Sequence, residues 1–263
     1  MWRRPLWRVV GPALRTLPPE AAHALVFHTA CRLAPACRSA RTSAALRAAF
    51  PTRGDAALDE ASALRLRTQL GRQLLPRHLA SEVEVEGEAL LEPPVLVVAA
   101  HFGQHGLPPV ALATRGHAVT VVTVMRDDAE LPPAAAYGQA RRRDLEASLP
   151  VRYVRARPGL VPPAEGVLVM GGDGRAALAI HGEDGRELPL LGRPERWPTR
   201  PFAIADRMGI RTVGLFFDSA ERRHRLKLVP LGSDDPQAAF AAHYDAWLRE
   251  HPAQWAFWDE RSA

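Results

Sequence analysis

Apolar residues along this chain fall into short blocks whose spacing changes from helical to extended and back. Within residues 1–17, Trp2, Leu6, Trp7, Val9, Val10, Leu14 and Leu17 are interspersed with four arginines, the mixture of an amphipathic segment lying in a membrane interface. After Pro18 and Pro19 the spacing predicts a second helix over 20–33, with Ala22, Leu25, Val26, Thr29 and Leu33 sharing a face. A third helix is predicted over 59–79 from Ala61, Leu64, Leu66, Leu70, Leu74 and Leu75, with Asp59 and Glu60 at the end where the helix dipole favours acids. The pattern then becomes extended. Glu82, Val83, Glu84, Val85 and Glu86 alternate with period two, as on a half-buried strand. Residues 95–100, VLVVAA, are apolar without interruption, which predicts a strand covered on both faces that stops abruptly at His101.

Further strands are predicted over 118–125, 151–154, 166–170 and 210–217, and helices over 199–208 and 236–250. The last helix places Phe240, Tyr244, Trp247 and Leu248 on one side. Asp184 and Gly185, between flanks that can pair, predict a hairpin over 182–191. The alternation is that of one α/β unit: a central mixed, largely parallel sheet flanked by helices, with an N-terminal helical, membrane-associating extension. The expected division is 1–45 for the basic amphipathic helices and 46–263 for the α/β domain.

Composition narrows the classes further. At 263 residues, 47% hydrophobic and 24% charged, the chain is neither disordered nor fibrous. No run of 18 apolar residues occurs, so a bilayer-spanning helix is not expected, and neither is a signal peptide. Cys31 and Cys37 are too few for a disulfide scaffold and point to a reducing compartment. The net charge of +5 is carried almost wholly by arginine, since Lys227 is the sole lysine. Residues 1–50 hold Arg3, Arg4, Arg8, Arg15, Arg32, Arg38, Arg41 and Arg47 against the single acid Glu20. A compositional bias towards Arg, Ala and Pro would give the same charge without function. A basic front can meet nucleic acid, anionic lipid or an acidic protein. The interleaved Trp and Leu favour a membrane surface, and no nucleic-acid partner is expected.

Three clusters carry candidate chemistry. His101 ends the most hydrophobic strand and is followed by Phe102 and Gly103, so it reads as a base at a sheet edge or as a structural hydrogen-bonder. His105 stands four residues on, the spacing of zincin ligands, but Phe102 occupies the place of the glutamate that motif needs, so no metal is expected. Gly171, Gly172, Asp173, Gly174 and Arg175 follow another apolar strand, where glycines permit close approach of a ligand. This cluster reads equally as a glycine-rich turn with an ion pair. Arg193, Arg196 and Arg200 precede a helix start, either as an anion site or as a solvated loop.

Taken in order, these blocks are similar to a known family. Residues 95–106, VLVVAAHFGQHG, resemble the strand and His-x4-acid block of the bacterial lipid A late acyltransferases, within the lysophospholipid acyltransferase superfamily. Residues 166–175, GVLVMGGDGR, resemble the family's strand ending in Asp. Residues 191–204, LGRPERWPTRPFAI, resemble its Gly-x-Pro segment before a helix, and 251–261, HPAQWAFWDER, its terminal His-Pro-x-Gln-Trp signature. The resemblance implies transfer of an acyl group from an acyl carrier protein or coenzyme A thioester to a hydroxyl or amine of a lipid-like or specialised-metabolite acceptor. His101 would be the general base, with no bound cofactor, on the cytoplasmic face of the inner membrane as a peripheral protein. The family's acid is absent, because Gly106 stands five residues after His101. Its role is expected to pass to Asp173, which ends another strand of the same sheet. Arg175, Arg193, Arg196 and Arg200 are expected to bind the phosphates of the donor or of a phospholipid, with His105 and Gly103 also lining the substrate site. The alternative is a non-catalytic homologue that binds lipid or acyl carrier protein.

Overall fold

A computed structural model describes residues 16–71, 82–123, 139, 143, 146–156, 165–173, 178, 185–219 and 224–258. Three helices come first: α1 (Pro19–Leu33), α2 (Ala40–Ala49) and α3 (Gly54–Gly71). Then follow β1 (Val83–Glu86), β2 (Val95–Ala99), α4 (Leu107–Thr114), β3 (Val119–Thr123), β4 (Arg152–Arg155) and β5 (Val167–Gly171). A hairpin of β6 (Arg186–Leu190) and β7 (Arg193–Trp197) leads into α5 (Arg200–Met208), β8 (Arg211–Asp218), β9 (His224–Pro230) and α6 (Pro236–Glu250).

Seven strands form one sheet in the order β1-β9-β8-β2-β5-β3-β4. The pairs β8/β2, β2/β5, β5/β3 and β3/β4 are parallel, β8/β9 is antiparallel, and β1 runs parallel to β9, so the sheet is mixed and mostly parallel as the sequence predicts. The unbroken apolar run of β2 has a direct cause. Leu96 and Val98 enter one core layer with Leu46, Leu58, Phe216, Phe240, Tyr244 and Trp247, while Val95 and Val97 enter the opposite layer with Val26, Val110, Leu215 and Leu226. Both faces of the strand are dry, so neither tolerates a polar side chain. At the sheet edge, β1 buries Val83 and leaves Glu84 and Glu86 exposed, which is why its sequence alternates.

Local signals place the helix ends. Asp235 caps α6, its carboxylate accepting the Ala238 N–H at 3.0 Å while Arg186 grips it through both guanidinium nitrogens at 2.8 and 2.7 Å. Ser39 caps α2 by accepting the Thr42 N–H at 3.3 Å. Gly209, with φ of 63°, closes α5 in the left-handed conformation that glycine adopts without cost.

Several expectations are corrected. Among the described residues the hairpin turns at Leu191–Gly192, with Asp184 of the predicted turn outside them, and Arg193 and Arg196, expected in an anion site or a solvated loop, lie on strand β7. Both turn residues have positive φ, 52° and 76°, as a two-residue hairpin of matching twist requires. Leu191 is a poor residue for that conformation, and its N–H is held at 2.5 Å by the carboxylate of Asp245 on α6. Helix α3 starts at Gly54, ahead of the predicted Asp59, and Leu74 and Leu75 lie outside the described residues. In α1 the predicted apolar face splits. Ala22, Val26 and Ala30, four residues apart, are buried, whereas Leu25 and Leu33 are 50% and 43% exposed. The small alanines let the helix sit close to its neighbour and turn the leucines outward. The amphipathic segment predicted over 1–17 lies outside the described residues except for Thr16 and Leu17. Among the described residues no helix is long and apolar enough to cross a membrane.

Candidate active site

The sheet register builds the site. Strands β2 and β5 pair Val95 with Val167 through to Ala99 with Gly171, a constant offset of 72 positions. The pairing continues beyond the strands, since the Gly172 N–H donates to the Ala99 carbonyl at 2.9 Å. Two residues past the last pair, the same offset sets His101 beside Asp173. Parallel neighbours in register send their side chains to the same face, so the two meet at the carboxyl end of the sheet, where open α/β sheets gather ligand-binding groups. From the other side, β2 pairs with β8 as Val95 with Arg211, and extending that register brings Gly103 to Ser219.

His101 Nδ1 lies 2.5 Å from Asp173 Oδ1. The main-chain N–H of His101 and the hydroxyl of Tyr244 both donate to Asp173 Oδ2, at 2.9 and 2.8 Å. A carboxylate only accepts, so Nδ1 carries the ring proton and Nε2 is left with its lone pair. The Asp173 side chain is 5% exposed and the His101 side chain 31%, so the acid is enclosed while the base reaches solvent. Three donors compensate the buried charge of Asp173. Burial pushes the Tyr244 hydroxyl well above its ordinary range and the Asp173 charge pushes it the same way, so Tyr244 remains a donor.

The imidazole is also held by its surroundings. The rings of His105 and Phe257 have centroids 4.8 and 5.0 Å away. Gly171 lies beside it, and a Cβ there would stand 3.0 Å from His101 Cε1. Gly172 is still tighter, its Cβ position lying 2.3 Å from Val98 Cγ1 and 2.7 Å from Phe240 Cε1. The two glycines at the end of β5 therefore make room for the ring and for the core beneath it.

The segment after α6 clamps the His101 loop. Ala256 N–H donates to the His101 carbonyl at 3.0 Å, Gly103 N–H donates to the Gln254 carbonyl at 2.9 Å, and Phe102 bridges to Trp255. The Gln254 side chain ties this segment to β8: Oε1 accepts the Ser219 N–H at 2.8 Å and Nε2 donates to Asp218. Ser219 Oγ then accepts the Gln104 N–H at 3.1 Å. Gly103 has φ of 56°, and a Cβ there would lie 2.8 Å from Ser219 Oγ, so only glycine fits. Trp258 closes the clamp by donating to the Pro252 carbonyl at 2.7 Å.

Of the residues singled out from sequence, His101, Asp173, His105 and Gly103 come together here. Gly103 lies buried within the clamp. Gly106 is exposed, with open space beyond its Cβ position. Arg193 and Arg196 are exposed on β7, and Arg200 begins α5 half-buried. Arg175 lies outside the described residues. Sequence reasoning missed Tyr244, Gln254 and Ser219 as site residues. Tyr244 reads as core because it sits one turn after Phe240, yet a buried phenol needs a hydrogen-bond partner, and that was the available signal. Among the described residues no group of three or more His, Cys, Asp and Glu side chains could hold a metal ion.

The fold and the site together describe an α/β protein with an oriented His–Asp pair at the carboxyl edge of a mostly parallel sheet. No protein-family model matches the chain, and no curated protein matches it.

Proposed function

We propose that the protein is an acyltransferase that uses His101 as general base and Asp173 as the acid that orients it. The observation that carries this reading is the Nδ1 to Oδ1 contact of 2.5 Å, made by an acid that arrives from β5 where position 106 offers none. Nε2 removes the proton from an acceptor hydroxyl or amine as that atom attacks the thioester carbonyl. The tetrahedral intermediate collapses, the carbon–sulfur bond breaks, and the imidazolium returns its proton to the leaving thiolate. Asp173 stays ionised throughout and stabilises the imidazolium.

The donor is an acyl carrier protein or coenzyme A thioester, and the acceptor is lipid-like or a specialised metabolite. Arg175, Arg193, Arg196 and Arg200 bind the phosphates of donor or lipid, as forked guanidinium donors suit. No cofactor or metal takes part. The protein works as a peripheral protein on the cytoplasmic face of the inner membrane. Contact with a membrane surface is supported by Leu17, Leu25 and Leu33, the large hydrophobic side chains exposed among the described residues, which lie just before and along α1, whose last turn carries Arg32.

The test is thiol release and product formation with acyl carrier protein and coenzyme A thioesters and a panel of hydroxyl and amine acceptors, beside His101→Ala. Acyl transfer that the substitution abolishes is expected. Release that persists unchanged in His101→Ala removes the proposed base, and no transfer from any donor favours a non-catalytic protein that binds lipid or acyl carrier protein.

A further inference from the structure

Asp173 is gripped asymmetrically. Among the described residues Oδ1 meets His101 Nδ1 alone, whereas Oδ2 receives both the His101 main-chain N–H and the hydroxyl of Tyr244, which comes from α6. The carboxylate of Asp173 can turn about its last side-chain bond, and a single main-chain donor would leave that rotation soft. We infer that Tyr244 is a positioning residue: its hydroxyl locks the Asp173 carboxylate in the orientation that presents Oδ1 to the His101 ring. The inference rests on the reading of His101 as a base, and it concerns which group sets that base.

The surroundings of Tyr244 support this role. Its ring is enclosed by Trp197, Phe102, Phe240, Phe216 and Trp255, with centroids 4.9 to 6.4 Å away. A phenylalanine would fill that space equally well and would bury no polar atom. The hydroxyl is therefore superfluous to packing, and a buried hydroxyl costs free energy unless it is bonded. Its bond is to Asp173. Of its ring contacts, Phe102 belongs to the loop that carries His101 and Trp255 to the segment that clamps it. Helix α6 thus holds the acid through the hydroxyl and the loop through the ring.

Among the described residues the charged and titratable groups around this relay are few. His101 faces Asp173 and His105, Tyr244 faces Asp173 and feels the charge of Glu195 on β7, and Asp218 and His251 sit beyond Gln254 on the far side of the clamp. Without the Tyr244 hydrogen bond, the Asp173 carboxylate is free to turn away from the His101 ring, and the ring is less well aimed.

The experiment is Tyr244→Phe in the full chain, with 3-fluorotyrosine at 244 as a second variant whose more acidic hydroxyl is a stronger donor. Tyr244→Phe is expected to lower kcat roughly tenfold with KM little changed, the scale of one lost hydrogen bond. The low-field proton NMR resonance of His101 Nδ1–H, assigned by its loss in His101→Ala, should shift in both variants, and this readout needs no turnover. If no donor supports acyl transfer, a shifted resonance still upholds the relay while the enzymatic reading fails. A resonance unmoved in both variants, or an unchanged kcat in an active enzyme, overturns the role of Tyr244.

Discussion

Replacing Asp173 by Asn isolates orientation from packing, and the geometry dictates how the amide must sit. Asp173 Oδ2 accepts two donors and Oδ1 faces one ring nitrogen, so the amide oxygen takes the Oδ2 place and satisfies the His101 N–H and the Tyr244 hydroxyl. The amide nitrogen then points at His101 Nδ1. It can only donate, so Nδ1 becomes the acceptor, the ring proton moves to Nε2, and the imidazole is a base no longer. In serine hydrolases the equivalent change lowers kcat about 10⁴-fold, or about 5.5 kcal/mol in the barrier. A loss of about 10³ to 10⁴ is expected here. Stability should change by no more than about 1 kcal/mol, because no donor is orphaned. Asp173→Ala is the poorer probe, since it leaves two buried donors unpaired at about 1–3 kcal/mol each and mixes unfolding with chemistry. The assay is single-turnover acyl transfer, with thermal denaturation alongside. An Asp173→Asn protein that keeps its fold and transfers within about tenfold of the parent rate would refute the tautomer argument.

Three further outcomes follow from the same geometry. Gly171→Ala places a methyl 3.0 Å from His101 Cε1 and should cut kcat roughly 10- to 100-fold with little change in Tm, measured by steady-state kinetics and calorimetry. Gln254→Ala removes the acceptor of the Ser219 N–H and the donor to Asp218, both in an enclosed site; it should cost about 2–4 kcal/mol in denaturant unfolding, and a loss below about 0.5 kcal/mol would mean the clamp is held elsewhere. Glu88 is held at about 2 by hydrogen bonds from Arg115 and then His117, below its model-compound value of 4.5. Its stabilisation is complete above 4.5 and is lost as pH falls towards about 2. With the side chain 31% exposed, Glu88→Gln should cost about 1 kcal/mol at neutral pH, and the two Tm curves should converge at pH 2.

The parts of the fold that the sequence disclosed are those where one physical demand dominates. Strand β2 had to be apolar on both faces, and α6 carries Phe240, Tyr244, Trp247 and Leu248 at helical spacing with a proline in its first turn, so its bounds of Pro236–Glu250 match the prediction. Strand β9 was not anticipated. His224, Leu226 and Leu228 alternate inward, but Arg225 and Lys227 between them, with Arg222 and Arg223 before, give the segment the look of a solvated loop. The hairpin was misplaced because Asp-Gly is the stronger local turn signal, while Leu191 takes its positive φ with the help of Asp245, a partner 54 positions away. The same division runs through the site. His101 and Asp173 were legible because each terminates an apolar strand. Tyr244 and Gln254 act through contacts of long sequence separation, which no local pattern encodes.

The clamp over His101 has a consequence in time. The loop at 101–104 is synthesised well before Tyr244, Gln254 and Ala256, the groups that hold its acid and its backbone in place. Until those residues emerge and dock, β2 and β5 can pair but the imidazole has neither a settled partner nor a settled loop. The backbone contacts of Gly103 with Gln254 and of His101 with Ala256 close far longer loops than the pairing of β2 with β5, so they must meet more closure entropy. If His101 is the base proposed above, its chemistry is switched on only at the end of assembly, and a nascent or truncated chain carries that histidine in an unarmed state.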